Sequence, residues 1–164
     1  MSQEAQVLAA TLDRARGYTR YHLKQLEGRD PHHRFVINGV ALNSMYWIVA
    51  HLASSENFLV LRATGGPMQR FSWAKHFNMG TAPPDPKELP PFDEVRAMFD
   101  DVHACSLAHI RTLSDDQLAE PHAARMRLGG TDQVRDVLMH AIRHEGLHCG
   151  HLSWTCRLHG IATM

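Results

Sequence analysis

The sequence predicts an all-α protein, a four-helix bundle with one long connection between its second and third helices. Four segments carry apolar residues at helical spacing, clusters of Gly or Pro separate them, and no segment alternates convincingly as a β-strand. The chain has 164 residues, of which 44% are hydrophobic and 21% charged. These values are typical of a single globular domain, which we expect to span residues 1–164.

The first two helices are predicted at 3–27 and 41–63. A stop signal that begins at Gly28 ends the first. Asn43 or Ser44 is a suitable N-cap for the second, whose apolar residues surround much of its surface. We therefore expect the second helix to be strongly buried.

The last two helices are predicted at 92–113 and 131–159, and Thr131 is a plausible N-cap for the second of them. A capped single turn is expected from Ser114. The connection at 65–91 is rich in proline, and a connection of this length is more often a crossover or a functional lid than an idle loop. Three aromatic residues in it are expected to hold a short helix against the bundle: Phe71, Trp73 and Phe77.

Composition limits the classes of partner. The 17 basic and 17 acidic residues balance, and they form no long run of one sign, which argues against nucleic acid. No segment approaches the roughly 20 apolar residues that a membrane span needs. The three cysteines are odd in number and lack CxxC spacing, so we expect no disulfide framework and a cytoplasmic location.

Histidine is the outlying residue type, with 13 copies. On a helix with about 100° per residue, His140, His144, His148 and His151 fall within about 80° of one another. Imidazoles at positions i and i+4 can converge on one metal ion, as His144 and His148 would. A solvated face or a hydrogen-bonded network is the alternative explanation, but burying several imidazoles without partners is costly.

The run from His144 to His148 also matches HExxH, the zinc-peptidase pattern in which the Glu, here Glu145, is the general base. The metzincin extension fails because His151 replaces its Gly, and no Glu follows Glu145 as a third ligand. A peptidase is therefore the least favoured functional hypothesis. Glu145 lies about 100° past His144 and can point away from the metal.

His51 is the best upstream candidate for a third ligand, because it lies in the middle of a helix predicted to be buried. Residues near it on the helical wheel are expected to line the same cavity: Ser44, Trp47, Ser55 and Phe58. His103 and His109 are placed instead on a wet face of the third helix, since Asp100, Asp101 and Arg111 are close in sequence.

The chain resembles the DinB/YfiT-like superfamily, most closely its type-two branch, from about residue 5 to 160. Residues 43–53 (NSMYWIVAHLA) are similar to the family's helix-two pattern N-S-x-x-W-x-x-x-H. Residues 138–152 (LMHAIRHEGLHCGHL) are similar to L-x-H-x-x-x-H-E-x-x-H-x-G-Q-L. One departure is His151, which stands where the family usually has Gln and which we expect in the outer cavity.

The resemblance implies an up-down-down-up bundle and a divalent metal, nickel or zinc, held by His51, His144 and His148. It also implies a homodimer. Its characterised members include metal-dependent enzymes that use low-molecular-weight thiols. We therefore expect a transferase or related enzyme that activates a small thiol, with Glu145 or His140 assisting. In the connection at 65–91, part of the roof of the metal cavity is expected from Trp73, His76 and Phe77. The alternative is a non-enzymatic metal-binding stress or interaction protein, and a metal-dependent hydrolase is less favoured.

Overall fold

The computed structural model describes residues 2–77, 80–81, 84–124 and 130–163. Within these ranges, four long α-helices and one short α-helix account for most of the residues, as the sequence predicts for an all-α protein. In chain order they are α1 (Gln3–Gln25), α2 (Met45–Glu56), α3 (Phe92–Thr112), α4 (Asp115–Ala119) and α5 (Val134–Leu158). A π-helical segment, Asn57–Arg62, continues α2.

Helix α1 runs antiparallel to α3. Near the start of α1, the Gln6 side chain donates to the carbonyl of Arg111, close to the end of α3. Near the end of α1, Arg20 pairs with Asp100, in the first half of α3. The two helices therefore point in opposite directions.

Helix α5 runs parallel to α1, because its ion pairs with α1 advance together along both helices. Arg135 at the start of α5 pairs with Glu4, and Glu145 farther along pairs with Arg16.

Helix α2 runs parallel to α3. The Tyr46 hydroxyl donates to the carbonyl of Pro90, just before α3 begins, and Glu56 contacts His103 in the middle of α3. With α1 and α5 parallel and α3 opposite to α1, the order of the long helices is up-down-down-up.

In its described part, the long connection between α2 and α3 contains two 3-10 segments, Ser72–Phe77 and Pro86–Glu88. Trp73 and Phe77 are 6% and 1% exposed and pack in the core, which confirms the expected short helix. Within this connection, residues 78–79 and 82–83 lie outside the described part of the chain.

A small hairpin between α1 and α2 differs from the prediction of no strand. Val36–Ile37 pairs antiparallel with Val40–Ala41. Asn38 and Gly39 between them both have positive φ angles, 51° and 79°. Positive φ at both central residues is what a type I′ turn requires, and Asn-Gly favours that turn.

Two predicted helix starts were too early. Helix α2 begins at Met45 and not at residue 41, because Ala41 is in the hairpin and Ser44 is the N-cap, accepting from the Trp47 amide at 3.2 Å. Helix α5 begins at Val134.

The later start of α5 has a local cause. The Asp136 carboxylate accepts hydrogen bonds from the backbone amides of Thr131 and Gln133, each at 2.9 Å, so that Gln133 is the N-cap and not Thr131. Among the helices in the described part of the chain, none is long and apolar enough to cross a bilayer.

Candidate metal centre

The antiparallel packing of α2 against α5 brings together three histidines that the sequence predicts as metal ligands. One ring nitrogen each from His51, His144 and His148 lies within 4.8 Å of the other two. The Nε2 atoms of His51 and His144 are 3.1 Å apart. His51 and His148 are buried, with 7% and 6% of their surfaces exposed, and His144 is half-buried.

This donor set fits a divalent metal ion. Imidazole nitrogens that lie 2.0–2.1 Å from a tetrahedral zinc ion are about 3.3 Å from each other, close to the observed Nε2–Nε2 separation of 3.1 Å. Two such nitrogens facing each other also bring their lone pairs together, unless a cation or a proton lies between them. The three histidines could therefore hold one ion.

Two contacts fix the orientation of the His51 ring. Its Nδ1 donates a hydrogen bond of 2.6 Å to the backbone carbonyl of Phe77, in the connection between α2 and α3. This bond places the ring proton on Nδ1 and leaves the Nε2 lone pair free for a metal. The Trp47 ring stacks on the His51 imidazole, with the two rings parallel to within 13° at a centroid distance of 4.6 Å.

His151 contacts His148 as the Phe77 carbonyl contacts His51, through a ring nitrogen of the candidate metal ligand. Their Nδ1 atoms are 3.3 Å apart, so one ring donates to the other. His151 is exposed and lies outside the three-histidine group. Its place in the outer cavity stays a prediction.

The surroundings keep the imidazoles neutral near pH 7. Burial lowers the pKa of His144 to about 4, and the nearby His51 ring lowers it in the same direction. Burial and the His144 ring likewise lower the pKa of His148 to about 3. Burial also lowers the pKa of His51, although its bond to the Phe77 carbonyl acts the other way. Neutral imidazole is the form that binds a metal ion.

His140 lies one turn before His144, at a ring-centroid distance of 6.1 Å, and outside the three-histidine group. Its Nδ1 accepts a hydrogen bond of 2.7 Å from Arg143. The residue is half-buried, so it can be reached from solvent. Its proposed role as an assisting residue remains a prediction.

The residues expected to line the cavity occupy different positions. The Ser55 hydroxyl lies 3.4 Å from His51 Nε2, on the metal side of the ring. Ser44 is buried as the N-cap of α2. Phe58 is partly buried against the apolar core and borders a separate surface cavity of about 500 Å³.

Glu145 faces away from the histidines, into the space between α1 and α5. Its carboxylate oxygens accept from Arg16 Nε at 2.9 Å and from a second guanidinium nitrogen at 3.0 Å, and the Thr19 hydroxyl also donates to it. Glu145 is 2% exposed and Arg16 is fully buried. The carboxylate is therefore held by a cation, an arrangement that does not favour the general base of a peptidase.

Arg16 also binds Glu56 of α2 and lies over the Phe99 ring, 3.5 Å from its centroid. Burial alone would raise the pKa of Glu56, but Arg16 and His103 outweigh it and hold that pKa below its ordinary value. We call these buried ionisable side chains the Arg16 cluster and define it by Arg16, Glu56, His103 and Glu145. It was not predicted from the sequence. A signal was present, because Arg16 follows Leu12 at i+4 on the buried stripe of α1.

The predicted wet face around His103 was wrong. His103 is 1% exposed, and its ring nitrogens face Glu56 Oε1 at 3.0 Å and Asp13 Oδ1 at 3.2 Å. His109 is half-buried, with Nε2 2.7 Å from the Thr64 hydroxyl. Asp101 and Arg111, used for the prediction, are exposed, and Asp100 pairs with Arg20. The His103 ring instead faces α1 and α2, and the His109 ring faces the turn that follows the π-helical segment.

The family model of the DinB superfamily matches residues 11–152. The chain belongs to the DinB superfamily. The match includes both motifs that carry the resemblance and all three histidines of the candidate metal centre. Among curated proteins, none matches the sequence significantly.

Proposed function

We propose that this DinB-superfamily protein is an enzyme that uses one divalent metal ion to activate a low-molecular-weight thiol, as a transferase or a related enzyme. The observation that carries the proposal is the set of three neutral imidazoles gathered within 4.8 Å. Three protein ligands leave coordination positions for a substrate, as in catalytic sites, whereas structural zinc sites are closed by four.

His51, His144 and His148 would hold the ion. When bound, a divalent ion supplies the Lewis acidity that lowers the pKa of a coordinated thiol and makes a thiolate available near pH 7. The Phe77 carbonyl orients His51, and His151 orients His148. These contacts hold the rings ready for a ligand role, as partners behind metal ligands commonly do.

In the proposed reaction, the S–H bond of the thiol breaks and a sulfur–carbon bond forms to an electrophilic carbon of a second substrate. The leaving group on that carbon departs with the bonding electrons and takes up the proton. His140, one turn from His144 and reachable from solvent, is the side chain best placed to carry that proton.

The nucleophile is proposed to be an added thiol because the chain's own Cys149 is poorly suited. Cys149 is half-buried, and burial raises its pKa. A raised pKa leaves little thiolate near pH 7.

The proposal also covers the identity of the metal, the location in the cell and the oligomeric state. The metal is nickel or zinc, since imidazole ligands suit both. The cysteines at 105, 149 and 156 are all free, which is typical of a cytoplasmic protein. A homodimer is also proposed, supported by exposed apolar side chains such as Val7 and Tyr18 on α1, each 59% exposed, and sedimentation of the purified chain tests it.

Cobalt substitution tests the proposed function, because thiolate bound to Co²⁺ gives a charge-transfer absorption in the near ultraviolet. We expect this absorption when ethanethiol is added to the Co²⁺-loaded protein, and we expect it to be lost in His148→Ala and kept in His140→Ala. Cobalt binding without the thiol band contradicts thiol activation and supports a non-enzymatic metal-binding protein. Peptide hydrolysis that disappears in Glu145→Gln would instead support the hydrolase.

A further inference from the structure

A groove of about 590 Å³ lies beside the candidate metal centre, between the hairpin and the second half of α5. Its volume falls within the roughly 300–1,000 Å³ of small-molecule sites. We call it the hairpin groove and define it by six of its lining residues: Ile37, Ala41, Leu42, Ile48, His151 and Trp154.

The hairpin groove is mostly apolar, and it leaves apolar surface in water. Trp154 is 63% exposed and Ile37 is 41% exposed, although each is large enough to favour burial. Exposed apolar surface that lines a concave site indicates a binding role more often than isolated exposed residues do. The occupant that this wall favours has an aliphatic or aromatic body.

The polar side of the groove leads to the metal centre. His151 lines the groove, and its ring lies 5.0 Å, centroid to centroid, from the ring of His148. A ligand that reaches His151 in the groove would therefore have one end next to His148, one of the three candidate metal ligands.

We propose that the hairpin groove binds the apolar body of the thiol substrate, so that the substrate class is a thiol with an alkyl or aryl chain of several carbons. This inference rests on the proposed function, because it places the sulfur at the metal end and the chain along the groove. Burial of one methylene group contributes about 0.8 kcal/mol, which is about a fourfold gain in affinity.

A homologous series of thiols measures this gain. Ethanethiol, butanethiol and hexanethiol are titrated into the Co²⁺-loaded protein, and the charge-transfer absorption reports binding. We expect the affinity of the wild-type protein to rise by about fourfold per methylene. Equal affinity for all three thiols overturns the proposal.

Two variants test whether the groove is the cause. Ala41→Trp fills the groove from an exposed position on the hairpin, and Trp154→Ala removes one wall. We expect the first to abolish the dependence on chain length and the second to reduce it below about twofold per methylene. Leu147→Ala is the matched control, since Leu147 is 59% exposed on the same helix. A dependence that survives in both groove variants overturns the proposal.

Failure of the proposed function gives a different result. If no thiol produces the charge-transfer absorption, thiol activation is wrong, and the groove is tested with ethanol, butanol and hexanol on the metal-free protein. A shift of the Trp154 emission to shorter wavelength that increases with chain length supports an apolar-chain site, because Trp154 is 63% exposed and the bound chain would displace water from it. Ala41→Phe, which fills the groove without adding an indole, should remove the shift. The absence of such a shift overturns the proposal. A dimer that Ala41→Trp converts to monomer, without any chain-length dependence, assigns the groove to a second copy and also overturns the proposal.

Discussion

Arg16 Nε and Glu145 Oε1 form a buried ion pair of 2.9 Å that joins α1 to α5 directly beside the candidate metal centre. Glu145 follows His144 in sequence, but the two side chains serve different parts of the bundle. His144 faces His51 and His148, whereas Glu145 faces Arg16, Thr19 and, across Arg16, Glu56. In this chain, an HExxH sequence therefore has its Glu in the core.

Removing one charge of this cluster should destabilise the fold without removing the metal site. Breaking a buried ion pair by changing one partner costs about 3–5 kcal/mol, because the other charge stays buried without its partner. We expect Arg16→Met, which leaves Glu56 and Glu145 without their shared cation, to lower the free energy of unfolding by about that amount in urea denaturation. Glu145→Gln should lower it by less, because Arg16 keeps Glu56 as a partner. Metal stoichiometry should stay at the wild-type value in both.

Glu120→Gln is the control for this prediction, because Glu120 is exposed and should leave the free energy of unfolding nearly unchanged. Loss of the metal in Glu145→Gln with an unchanged free energy of unfolding would show that the carboxylate acts at the metal after all.

The contact between His148 and His151 leads to a prediction about metal affinity. The Nδ1–Nδ1 distance of 3.3 Å lets His151 accept the ring proton of His148, which leaves His148 Nε2 for the ion. His151→Leu removes the acceptor, and loss of such a partner typically weakens metal binding by about 10–100-fold.

His151→Gln is the informative comparison, since an amide oxygen can also accept from His148. We expect its metal affinity to stay close to that of the wild-type protein. Competition with a coloured chelator measures both variants, and their stability should change little because His151 is exposed. Equal affinities in His151→Leu and the wild type contradict this role.

The stability of the metal-free chain should depend on pH through the same histidines. The folded-state pKa values of His144 and His148 are about 4 and about 3, below the ordinary value of 6.5. Between pH 6.5 and pH 4, the unfolded chain binds protons at these positions and the folded chain does not. The free energy of unfolding is therefore highest above pH 6.5 and falls as the pH drops below that value.

Urea denaturation from pH 7 to pH 5, with a chelator present, measures this slope. His148→Gln cannot bind the proton in either state, so its slope should be smaller by about one bound proton. A slope that is the same in His148→Gln and the wild-type chain contradicts the assignment of buried, neutral His148.

The sequence was sufficient for the parts of the molecule that local patterns determine. The four long helices follow from apolar stripes with stop signals. Residue type indicated Ser114 as a cap and left Asn43 and Ser44 as the two candidates for α2, of which Ser44 is the cap. His51 was singled out because an ionisable residue in the middle of an apolar helix needs a partner.

The sequence was not sufficient where distant segments meet. The Arg16 cluster depends on pairs that are 40 and 129 residues apart in sequence, which the periodicity of one helix does not reveal.

The hairpin was missed for a different reason. Its Asn38-Gly39 turn is a strong local signal, but two-residue strands are too short to show alternation. The contact from His51 to the Phe77 carbonyl was not predictable, since any residue type offers a backbone carbonyl.

Metal content after loading tests the central claim most directly. The purified chain is incubated with nickel or zinc, passed through a desalting column and analysed for bound metal and for protein. We expect one ion per chain in the wild type and in His140→Ala, and almost none in His51→Ala, His144→Ala and His148→Ala, with helical circular dichroism preserved in all of them. A wild-type chain that retains no metal, or folded variants of the three histidines that retain as much as the wild type, would contradict the account.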